Sequence, residues 1–208
     1  MERGCFGGPV FLGGKMEHAL TIRPAAAEDI EPMRQIYAYY VLNSAATFNG
    51  LDEVPGPEDF AAKVARVSAR HPWLAAVRNG RVVGFAYAAP YRQRAAYDWD
   101  VETTIYLDPE VRGEGIGRTL YTRLEELLRR QNVRTMYACV THSPREDDPN
   151  LTDASERFHA AMGFTVCGTM RTCGFKFGRW YDILWFEKKL VFGEEEPEPF
   201  IPFPELKA

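Results

Sequence analysis

Three glycines at alternate positions, Gly113, Gly115 and Gly117, have the type and spacing of a phosphate-binding turn. The strand-like run Thr103–Leu107 precedes them, and apolar residues recur at helical spacing after them. Glycine lets the backbone turn with its N–H groups pointing inward, and the first N–H groups of a helix have no partner inside the helix. Such groups, together with the positive end of the helix dipole, favour a bound phosphate. We therefore predict that Glu102–Leu120 forms a strand, an anion-binding turn and the start of a helix.

Several kinds of turn fit these glycines to different degrees. A Walker loop needs a lysine directly after the last glycine, where this chain has Arg118. A dinucleotide-binding fingerprint that begins at Gly115 needs a third glycine where the chain has Leu120. The pattern R-x-x-G-x-G is complete at Arg112, Gly115 and Gly117. A helix that starts after tight-turn glycines and binds no ligand stays open as a further explanation.

The composition indicates one globular domain without a charge surplus for nucleic acid. The chain has 208 residues, of which 46% are hydrophobic, so it can bury a core of its own. Its net charge is -4, and residues 193–208, with five glutamates and one lysine, account for all of it. We expect no nucleic-acid partner, because such partners require a basic surface. We expect no membrane partner, because no apolar run is long enough to span a bilayer.

The four cysteines have no spacing typical of a metal site. Cys5, Cys139, Cys167 and Cys173 include no C-x-x-C pair, and two of them lie in strand-like segments. We therefore expect buried thiols in a reducing compartment, rather than disulfides or metal ligands, and a cytoplasmic protein.

Hydrophobic periodicity predicts strands and helices on both sides of the glycine turn. The pair Asn79-Gly80, between two runs of strand composition, is the strongest hairpin signal. The predicted strands are residues 19–23, 73–77, 82–88, 102–107, 135–140, 165–175 and 181–190, and the predicted helices are residues 25–43, 58–70, 116–131 and 154–162. The order β-α-α-β-β-β-α-β-α-β-β indicates a mixed α/β fold in a single domain.

The composition changes at both ends of the predicted domain, which spans residues 19–191. Residues 1–18 are predicted to be an extension, either disordered or the product of a mis-set start. Residues 192–208 form an acidic, proline-rich tail that we expect to dock loosely or not at all.

The order of elements, with the glycine turn between the fourth strand and the third helix, resembles the GNAT acetyltransferase fold. That fold is an α/β (α+β) arrangement in which a mixed, mostly antiparallel sheet is flanked by helices. Between residues 20 and 190 the chain further resembles the phosphinothricin N-acetyltransferase-like branch. The runs that carry this resemblance are Arg70-His71-Pro72-Trp73-Leu74, Ala86-Tyr87-Ala88, Ala96-Tyr97-Asp98-Trp99, Glu102-Thr103-Thr104-Ile105-Tyr106-Leu107, Thr119-Leu120-Tyr121-Thr122, His159 with Gly163-Phe164, and Gly174-Phe175-Lys176-Phe177-Gly178-Arg179-Trp180-Tyr181-Asp182.

The resemblance implies an N-acetyltransferase that uses acetyl-CoA as cosubstrate and acts on the amine of a small molecule. The expected acceptor is an amino acid or an analogue such as phosphinothricin or methionine sulfone, acetylated directly in a ternary complex. A homodimer is also expected from the resemblance. Two other functions stay open: N-acetylation of a protein or peptide by the same fold, and coenzyme A binding without catalysis. The polar loop Thr141–Leu151, longer than is typical of the branch, would lie near the mouth of the site and bear on this choice.

The resemblance also implies how the chain holds the coenzyme. The backbone at Ile105, Tyr106 and Leu107 is expected to pair with the pantetheine arm like an added strand. Thr152, where the branch usually has asparagine, can offer a hydroxyl to the same arm. Because the charge of Glu114 opposes a phosphate, we expect its side chain to point to solvent. The residues expected to cradle the pyrophosphate are Arg112, Gly113, Glu114, Gly115, Ile116, Gly117 and Arg118.

Glu102 and His159 are the residues that the resemblance implies in proton transfer. An amine attacks a thioester only when it is unprotonated, and Glu102 matches the general base proposed for the family. His159, on the predicted short helix, could protonate or hydrogen-bond the departing sulfur. Each has a structural alternative: a strand glutamate paired with Arg92 or Arg94, and a histidine with a packing role alone.

Phe48, Arg94 and Tyr97 are expected around the acceptor. Arg94 and Tyr97 match the segment that faces the acceptor in this branch, and a guanidinium suits a carboxylate or phosphinate. Phe48, on the loop between the first two helices, could wall the same pocket. An acyl-enzyme on Cys139 is the alternative to direct transfer, but no base adjoins this cysteine in the sequence, so direct transfer is preferred.

Overall fold

The computed structural model describes residues 20–111 and 113–207 and has the predicted order of helices and strands. The predicted extension at residues 1–18 and the predicted phosphate ligand Arg112 lie outside the described residues. The strands are β1 (Leu20–Pro24), β2 (Trp73–Arg78), β3 (Arg81–Pro90), β4 (Asp100–Leu107), β5 (Thr135–His142), β6 (Thr165–Lys176) and β7 (Arg179–Lys189). The helices are α1 (Ile30–Asn43), α2 (Pro57–Ser68), α3 (Ile116–Arg130) and α4 (Ala154–Ala161). None of the helices in the described ranges combines the length and apolar composition that a bilayer-spanning helix needs.

The seven strands form one sheet in the order β1-β2-β3-β4-β5-β7-β6. All neighbouring strands are antiparallel except β4 and β5, which are parallel. These two strands pair only from Asp100 to Glu102 on β4 and from Thr135 to Tyr137 on β5. Each then continues along its other neighbour, so the sheet opens between them. We call this opening the gap, and its apex lies at Glu102.

Two hydrophobic cores lie on opposite faces of the sheet because side chains alternate along each strand. On β3, Ala86 and Ala88 belong to the core beneath α3, whereas Phe85 and Tyr87 belong to the core beneath α1 and α2. Trp73 stacks on Tyr87 in the second core, with ring centroids 4.0 Å apart. The leucines of α3 that face the first core are Leu120, Leu124, Leu127 and Leu128. The sheet is therefore covered on both faces, and the gap is its central break.

The acidic tail is docked on the domain, contrary to the expectation from its composition. Ile201 donates its main-chain N–H to the carbonyl of Gln131 (3.1 Å), and the Gln131 side chain donates back to the carbonyl of Ile201 (2.8 Å). Phe203 donates its N–H to the carbonyl of Arg70 (2.9 Å). The composition misleads because the tail glutamates stay exposed while a few apolar residues make the contacts. The apolar tail residues that pack against the core beneath α3 are Phe200, Phe203 and Leu206.

Cys139, Cys167 and Cys173 are exposed free thiols, so the expectation of buried thiols is wrong for these three residues. Cys167 and Cys173 lie on β6, the edge strand of the sheet, whose residues are mostly exposed. Cys139 lies on β5 beside the gap. Strand composition by itself does not distinguish a covered strand from an edge strand or from one that borders an opening.

Candidate active site

The main chain of β4 borders the gap with groups that do not pair with β3. Asp108 donates its N–H to the carbonyl of Val83 (3.0 Å), which fixes the phase of the antiparallel pairing between β4 and β3. Because main-chain groups of a strand point alternately to its two sides, Tyr106 pairs with β3 and Ile105 directs its N–H and C=O into the gap. The gap therefore offers the edge that an extended ligand could join as an added strand.

The three residues predicted to contact the pantetheine arm are thus not equivalent. The main-chain groups of Leu107 point to the same side of β4 as those of Ile105. The carbonyl of Leu107, however, accepts a hydrogen bond from the hydroxyl of Tyr40 on α1 (2.8 Å). Tyr106 turns its main chain to β3 and packs its ring against Tyr37, with ring centroids 5.2 Å apart. Of the three, Ile105 is the residue whose main chain best suits the predicted contact.

The glycine turn leaves open space at the end of the gap. Gly113 and Gly115 both have φ of +76°, a backbone conformation that favours glycine, and nothing lies within 4 Å of where a Cβ would be. Gly115 is the N-cap residue of α3, so the free N–H groups and positive dipole end of the helix begin here. Glu114 is half-exposed and forms an ion pair with Arg78, which neutralises its charge. Arg118, one turn further, is exposed.

At Ile116 and Gly117 the side-chain positions serve the packing of α3, while the main-chain N–H groups of both residues belong to the open first turn of the helix. A Cβ on Gly117 would lie 3.3 Å from side-chain atoms of both Leu107 and Phe158, so its absence lets α3 approach β4 and α4 closely. Ile116 is buried in the core beneath α3. Thr152 is exposed next to the first turn of α4, on the loop that leads into this helix. An open strand edge beside an open helix N-terminus fits an extended ligand that ends in phosphates, as coenzyme A does.

Glu102 is half-buried at the apex of the gap. Burial raises the pKa of its carboxyl above the usual 4.5, although the charges of Arg92 and Lys63 oppose the rise. Among residues 20–111 and 113–207, no ion pair within 4.0 Å joins Glu102 to a basic side chain. The alternative of a glutamate in a salt bridge with Arg92 or Arg94 is therefore not formed, and a carboxyl with a raised pKa is a stronger proton acceptor.

His159 is 4% exposed and belongs to a chain of hydrogen bonds that reaches the gap. Its Nδ1 donates to the main-chain carbonyl of Ser155 (2.8 Å), and its Nε2 lies 3.2 Å from the hydroxyl of Tyr121. The Tyr121 hydroxyl donates to the hydroxyl of Thr103 (2.6 Å), which donates to the carbonyl of Tyr137 (2.9 Å). Thr103 and Tyr137 lie on β4 and β5 where these strands part. The structure thus places two hydroxyl groups between His159 and the apex.

The series of hydrogen bonds through His159, Tyr121 and Thr103 can take up one proton without losing a hydrogen bond. Burial lowers the pKa of His159, although its bond to the carbonyl of Ser155 favours the charged form, so the imidazole is neutral near pH 7. The series has four contacts, and each needs one proton to be a hydrogen bond. The carbonyls of Ser155 and Tyr137 at its two ends can only accept. A neutral imidazole and two hydroxyls supply three protons, one fewer than the contacts need. Protonation of His159 at Nε2 supplies the fourth proton, for the contact with the Tyr121 hydroxyl. The arrangement suits a group that holds a proton transiently.

Phe48 lies on the loop between α1 and α2 and ties that loop to the hairpin of β6 and β7. A Cβ on Gly174 of β6 would lie 2.1 Å from the Phe48 ring, so the ring rests directly on the strand backbone. The ring centroids of Phe48 and Tyr181 are 6.3 Å apart. Lys176 donates from Nζ to the carbonyl of Thr47 (2.8 Å), which holds the same loop.

Of the two predicted residues on the segment before β4, the structure brings Tyr97 toward the site and leaves Arg94 exposed. The Tyr97 ring packs edge-on against Tyr91, with centroids 5.8 Å apart, and Tyr91 stacks on Tyr137 at 4.5 Å. The guanidinium of Arg92 lies 4.1 Å from the centre of the Tyr91 ring. Of Arg92 and Arg94, Arg92 is the one whose charge contributes to the pKa of Glu102.

The polar loop after β5 is held in place by a buried aspartate. Asp148 is 8% exposed and accepts hydrogen bonds from the hydroxyls of Ser143 (2.9 Å) and Tyr181 (3.3 Å) and from the N–H of Asn150 (2.9 Å). Burial alone would raise the pKa of Asp148, but these donors lower it. The carbonyl of Asn150 accepts the N–H of Ala45 (3.0 Å), which joins the loop to the end of α1. The polar loop after β5 is therefore held in one position and can form a rigid wall of the site.

Cys139 faces the site but is poorly suited to act as a nucleophile. Burial, the charge of Glu102 and the neighbouring Cys173 together raise the pKa of its thiol to about 12, even though part of its surface is exposed. Because the thiolate is the reactive form, this favours direct transfer over an acyl-enzyme.

The sequence alone does not indicate a role for Lys63, Thr103 or Tyr121. Tyr121 lies among the apolar residues that recur at helical spacing in α3. A tyrosine hydroxyl that is buried in a core needs a hydrogen-bond partner, and this is the feature of the sequence that points to Tyr121. Lys63 lies between Phe60 and Val64, beside the buried stripe of α2, where a long side chain can reach across the core edge.

Comparison with known proteins relates these features to one family. The family described as Acetyltransferase (GNAT) domain matches residues 22–185, so the docked tail lies beyond the match. The phosphinothricin N-acetyltransferase of Streptomyces viridochromogenes is 34% identical over 187 residues, which cover 90% of this chain and 96% of that protein. The L-methionine sulfoximine/L-methionine sulfone acetyltransferase of Salmonella typhimurium is 33% identical over 171 residues, which cover 82% of this chain and 95% of that protein.

Solved structures agree with this relationship. The GNAT superfamily phosphinothricin acetyltransferase from Sinorhizobium meliloti, in complex with AcCoA, is similar with a TM-score of 0.78 and 32% sequence identity. The match covers 91% of this chain and 99% of that chain.

Proposed function

The chain belongs to the GNAT acetyltransferase family, and from that premise we propose that it transfers the acetyl group of acetyl-CoA to the amine of a small amino acid or amino-acid analogue. The observation that carries the proposal is the gap between β4 and β5, with Glu102 at its apex and the glycine turn of α3 at its open end. The two relatives are named for phosphinothricin and for methionine sulfoximine and sulfone, which are amino-acid analogues. Their names support the same class of acceptor here.

The residues around the gap fit acetyl-CoA. The pyrophosphate would be held by the main chain at Gly113 and Gly115 and by the N-terminus of α3. Arg118, in the first turn of α3, would add a positive charge near the phosphates. The main-chain edge at Ile105 would hold the pantetheine arm, and Thr152 would approach the same arm from the start of α4. When bound, acetyl-CoA supplies a thioester whose carbonyl carbon accepts the amine and whose sulfur leaves.

Glu102 would take the proton that the acceptor ammonium must lose before it reacts. Its half-buried carboxyl is more basic than an exposed glutamate, because burial raises its pKa. The N–H of Ile105 points into the gap and can donate to an oxygen that gains negative charge. The chain from Thr103 through Tyr121 to His159 can hold a proton near the apex. The Phe48 ring and the loop around Asp148 would orient the acceptor and limit access of water.

We further propose that the protein is a homodimer in the cytoplasm. Large apolar side chains are exposed on β6 and at the start of β7, and such patches commonly mark interfaces. Free thiols on the same strand suit a reducing compartment. Light scattering after gel filtration should give a mass near twice 23.6 kDa, and the mass of one chain would contradict the dimer. The exposed residues are Val166, Met170, Phe175 and Trp180.

Release of the coenzyme A thiol from acetyl-CoA tests the proposed activity. The acceptors compared are phosphinothricin, methionine sulfone, methionine sulfoximine, unmodified amino acids, polyamines and short peptides. We expect the highest kcat/KM with an amino acid or analogue. Faster turnover of peptides would favour the protein-acetylating alternative, and tight acetyl-CoA binding without turnover of any amine would favour a non-catalytic role.

A further inference from the structure

Lys63 projects from α2 onto the sheet face that carries Glu102. Its side chain is half-buried, and Nζ donates a hydrogen bond to the hydroxyl of Tyr87 (2.9 Å). Nζ also lies 5.0 Å from the ring centre of Tyr87 and 5.8 Å from that of Tyr37. Two tyrosines thus fix the position of an ammonium group beside the apex of the gap.

The positive charge of Lys63 is not matched by a carboxylate of the protein. In the described part of the chain, the ion pairs within 4.0 Å do not include Lys63 or Arg92. Both cations act on Glu102 from a longer distance. Two cations therefore surround one carboxylate, and that carboxylate must serve the ammonium of the acceptor. The surplus positive charge suits an anion on the acceptor itself.

The spacing along the sheet fits an α-amino acid. Tyr87 pairs with Thr104, two residues from Glu102, which is about 7 Å along the strand. An α-amino acid that is hydrogen-bonded at both ends, with its amine toward Glu102 and its carboxylate toward Lys63, spans a distance of that order. An ammonium group has three donors, and Tyr87 uses one of them, so two remain for a carboxylate.

We propose that Lys63 binds the carboxylate of the acceptor and thereby selects amino acids over amines that lack an anion. The inference rests on the proposed function, because it assumes an amino-acid acceptor. It assigns to α2 a specificity-determining residue for the transfer reaction. Lys63 contacts the part of the acceptor that does not react, so its main effect should be on acceptor binding.

The test compares methionine sulfone with its carboxamide, in which a neutral amide replaces the negatively charged carboxylate. For wild-type protein we expect kcat/KM to be about 10- to 100-fold higher with the acid, as for a charge-assisted hydrogen bond. Lys63→Met should remove most of this preference by raising KM for the acid, while kcat/KM for the carboxamide changes by no more than about twofold. Lys63→Arg should keep part of the preference. Arg66→Met, which removes an exposed charge one turn further along α2, should behave as wild type.

Several outcomes separate this proposal from its alternatives. Equal losses with the acid and the carboxamide would assign Lys63 to the positioning of Tyr87 or to the tuning of Glu102, and would overturn its role in specificity. Loss of the Lys63 charge raises the pKa of Glu102, so the assays are run on the pH plateau of each variant. Thermal unfolding checks that each variant is folded. Wild-type turnover of neither acceptor, but of peptides, would overturn the proposed function itself.

Discussion

Glu102 lies at the apex of the gap, and its surroundings determine the pH range in which it can accept a proton. Burial raises the pKa of its carboxyl, and the positive charges of Arg92 and Lys63 oppose that rise. A base acts only while it is ionised, so activity should fall as the pH drops through this raised pKa. The acidic limb of the rate profile should therefore lie above the ordinary value of 4.5.

Glu102→Gln should lower kcat by about 10²- to 10⁴-fold, because the amide cannot accept the proton of the ammonium. The measurement is the pH dependence of kcat/KM for wild type and variant. The part of the acidic limb that follows the raised pKa of Glu102 should be present in the wild type and absent from the variant. Glu126→Gln, at an exposed position of α3, is the matched control and should leave the profile unchanged. Wild-type turnover by Glu102→Gln would remove Glu102 as the base.

Among single residues, the sequence identifies those that belong to a continuous motif, because their neighbours in the sequence are part of the same pattern. Glu102 and the glycines stand in one continuous motif, so both could be identified. Lys63 and Tyr121 reach the site from helices, and local spacing does not encode how a helix is placed over a sheet. Arg92 and Arg94 are two positions apart on one segment, and their spacing does not show that it is the charge of Arg92 that acts on Glu102.

The turn before α3 joins the strand edge to the helix N-terminus, and its backbone conformation requires glycine at Gly115. Gly115→Ala should destabilise the protein by about 1–2 kcal/mol, because a Cβ is strained at φ of +76° even where space is open. It should also raise the Kd for acetyl-CoA, since the strained turn no longer presents its N–H groups in the same directions. Chemical unfolding and calorimetric titration measure the two effects.

Gly80 provides a matched control for this element. It has the same φ of +76° and the same open surroundings, but it lies in the hairpin turn between β2 and β3. Gly80→Ala should cost a similar free energy of unfolding and leave the Kd for acetyl-CoA unchanged. Equal weakening of acetyl-CoA binding by both variants would show that the effect comes from global destabilisation and not from the turn.

The contact between Phe48 and Gly174 joins two elements across the acceptor side. Gly174→Ala places a methyl group 2.1 Å from the present ring position, so the ring and its loop must move. We expect a loss of about 1–3 kcal/mol in stability and a higher KM for the acceptor, with little change in KM for acetyl-CoA. Phe48→Ala removes the clash, so the double variant should be no less stable than Phe48→Ala alone. Additive losses would contradict a direct contact.

The elements themselves could be predicted, because helix and strand periods, caps and the Asn79-Gly80 turn are local signals. The gap could not be found in this way. It arises because β4 and β5 pair over three positions and then follow different neighbours, which is a property of registers between distant segments. The loop after β5 likewise depends on Asp148, whose partner Tyr181 lies on another strand.

Across the whole molecule, the tail closes over a buried histidine that follows α2. His71 is 1% exposed, and neither ring nitrogen has a hydrogen-bond partner among the described residues. The ring of Phe200 lies 5.1 Å from the His71 ring, and the guanidinium of Arg70 lies 4.3 Å from the centre of the Phe200 ring. Burial, with the charge of Arg70, lowers the pKa of His71 to about 4, and Asp98 opposes the shift. Composition could not predict this contact, because it averages the tail glutamates with the few apolar residues that dock.

Removal of that ring should change how stability depends on pH. His71 titrates near 6.5 when unfolded and near 4 when folded, so between these values the unfolded chain binds more protons. The free energy of unfolding should therefore fall as the pH drops below 6.5, by up to about 1.4 kcal/mol per pH unit. Phe200→Ala should expose the imidazole, bring its folded pKa toward 6.5 and reduce this slope. It should also cost about 1–2 kcal/mol near neutral pH through lost apolar burial.

Urea unfolding at about pH 7.5 and about pH 5.5 measures both effects. Phe192→Ala, which removes a tail ring that is 80% exposed, should change neither the stability nor its slope with pH. His71→Phe should reduce the slope while the tail stays in place. Burial also lowers the pKa of His159, so part of the slope should remain in Phe200→Ala. An unchanged slope in Phe200→Ala would mean that the domain buries His71 without help from the tail, and the tail would then be a stabilising strap alone.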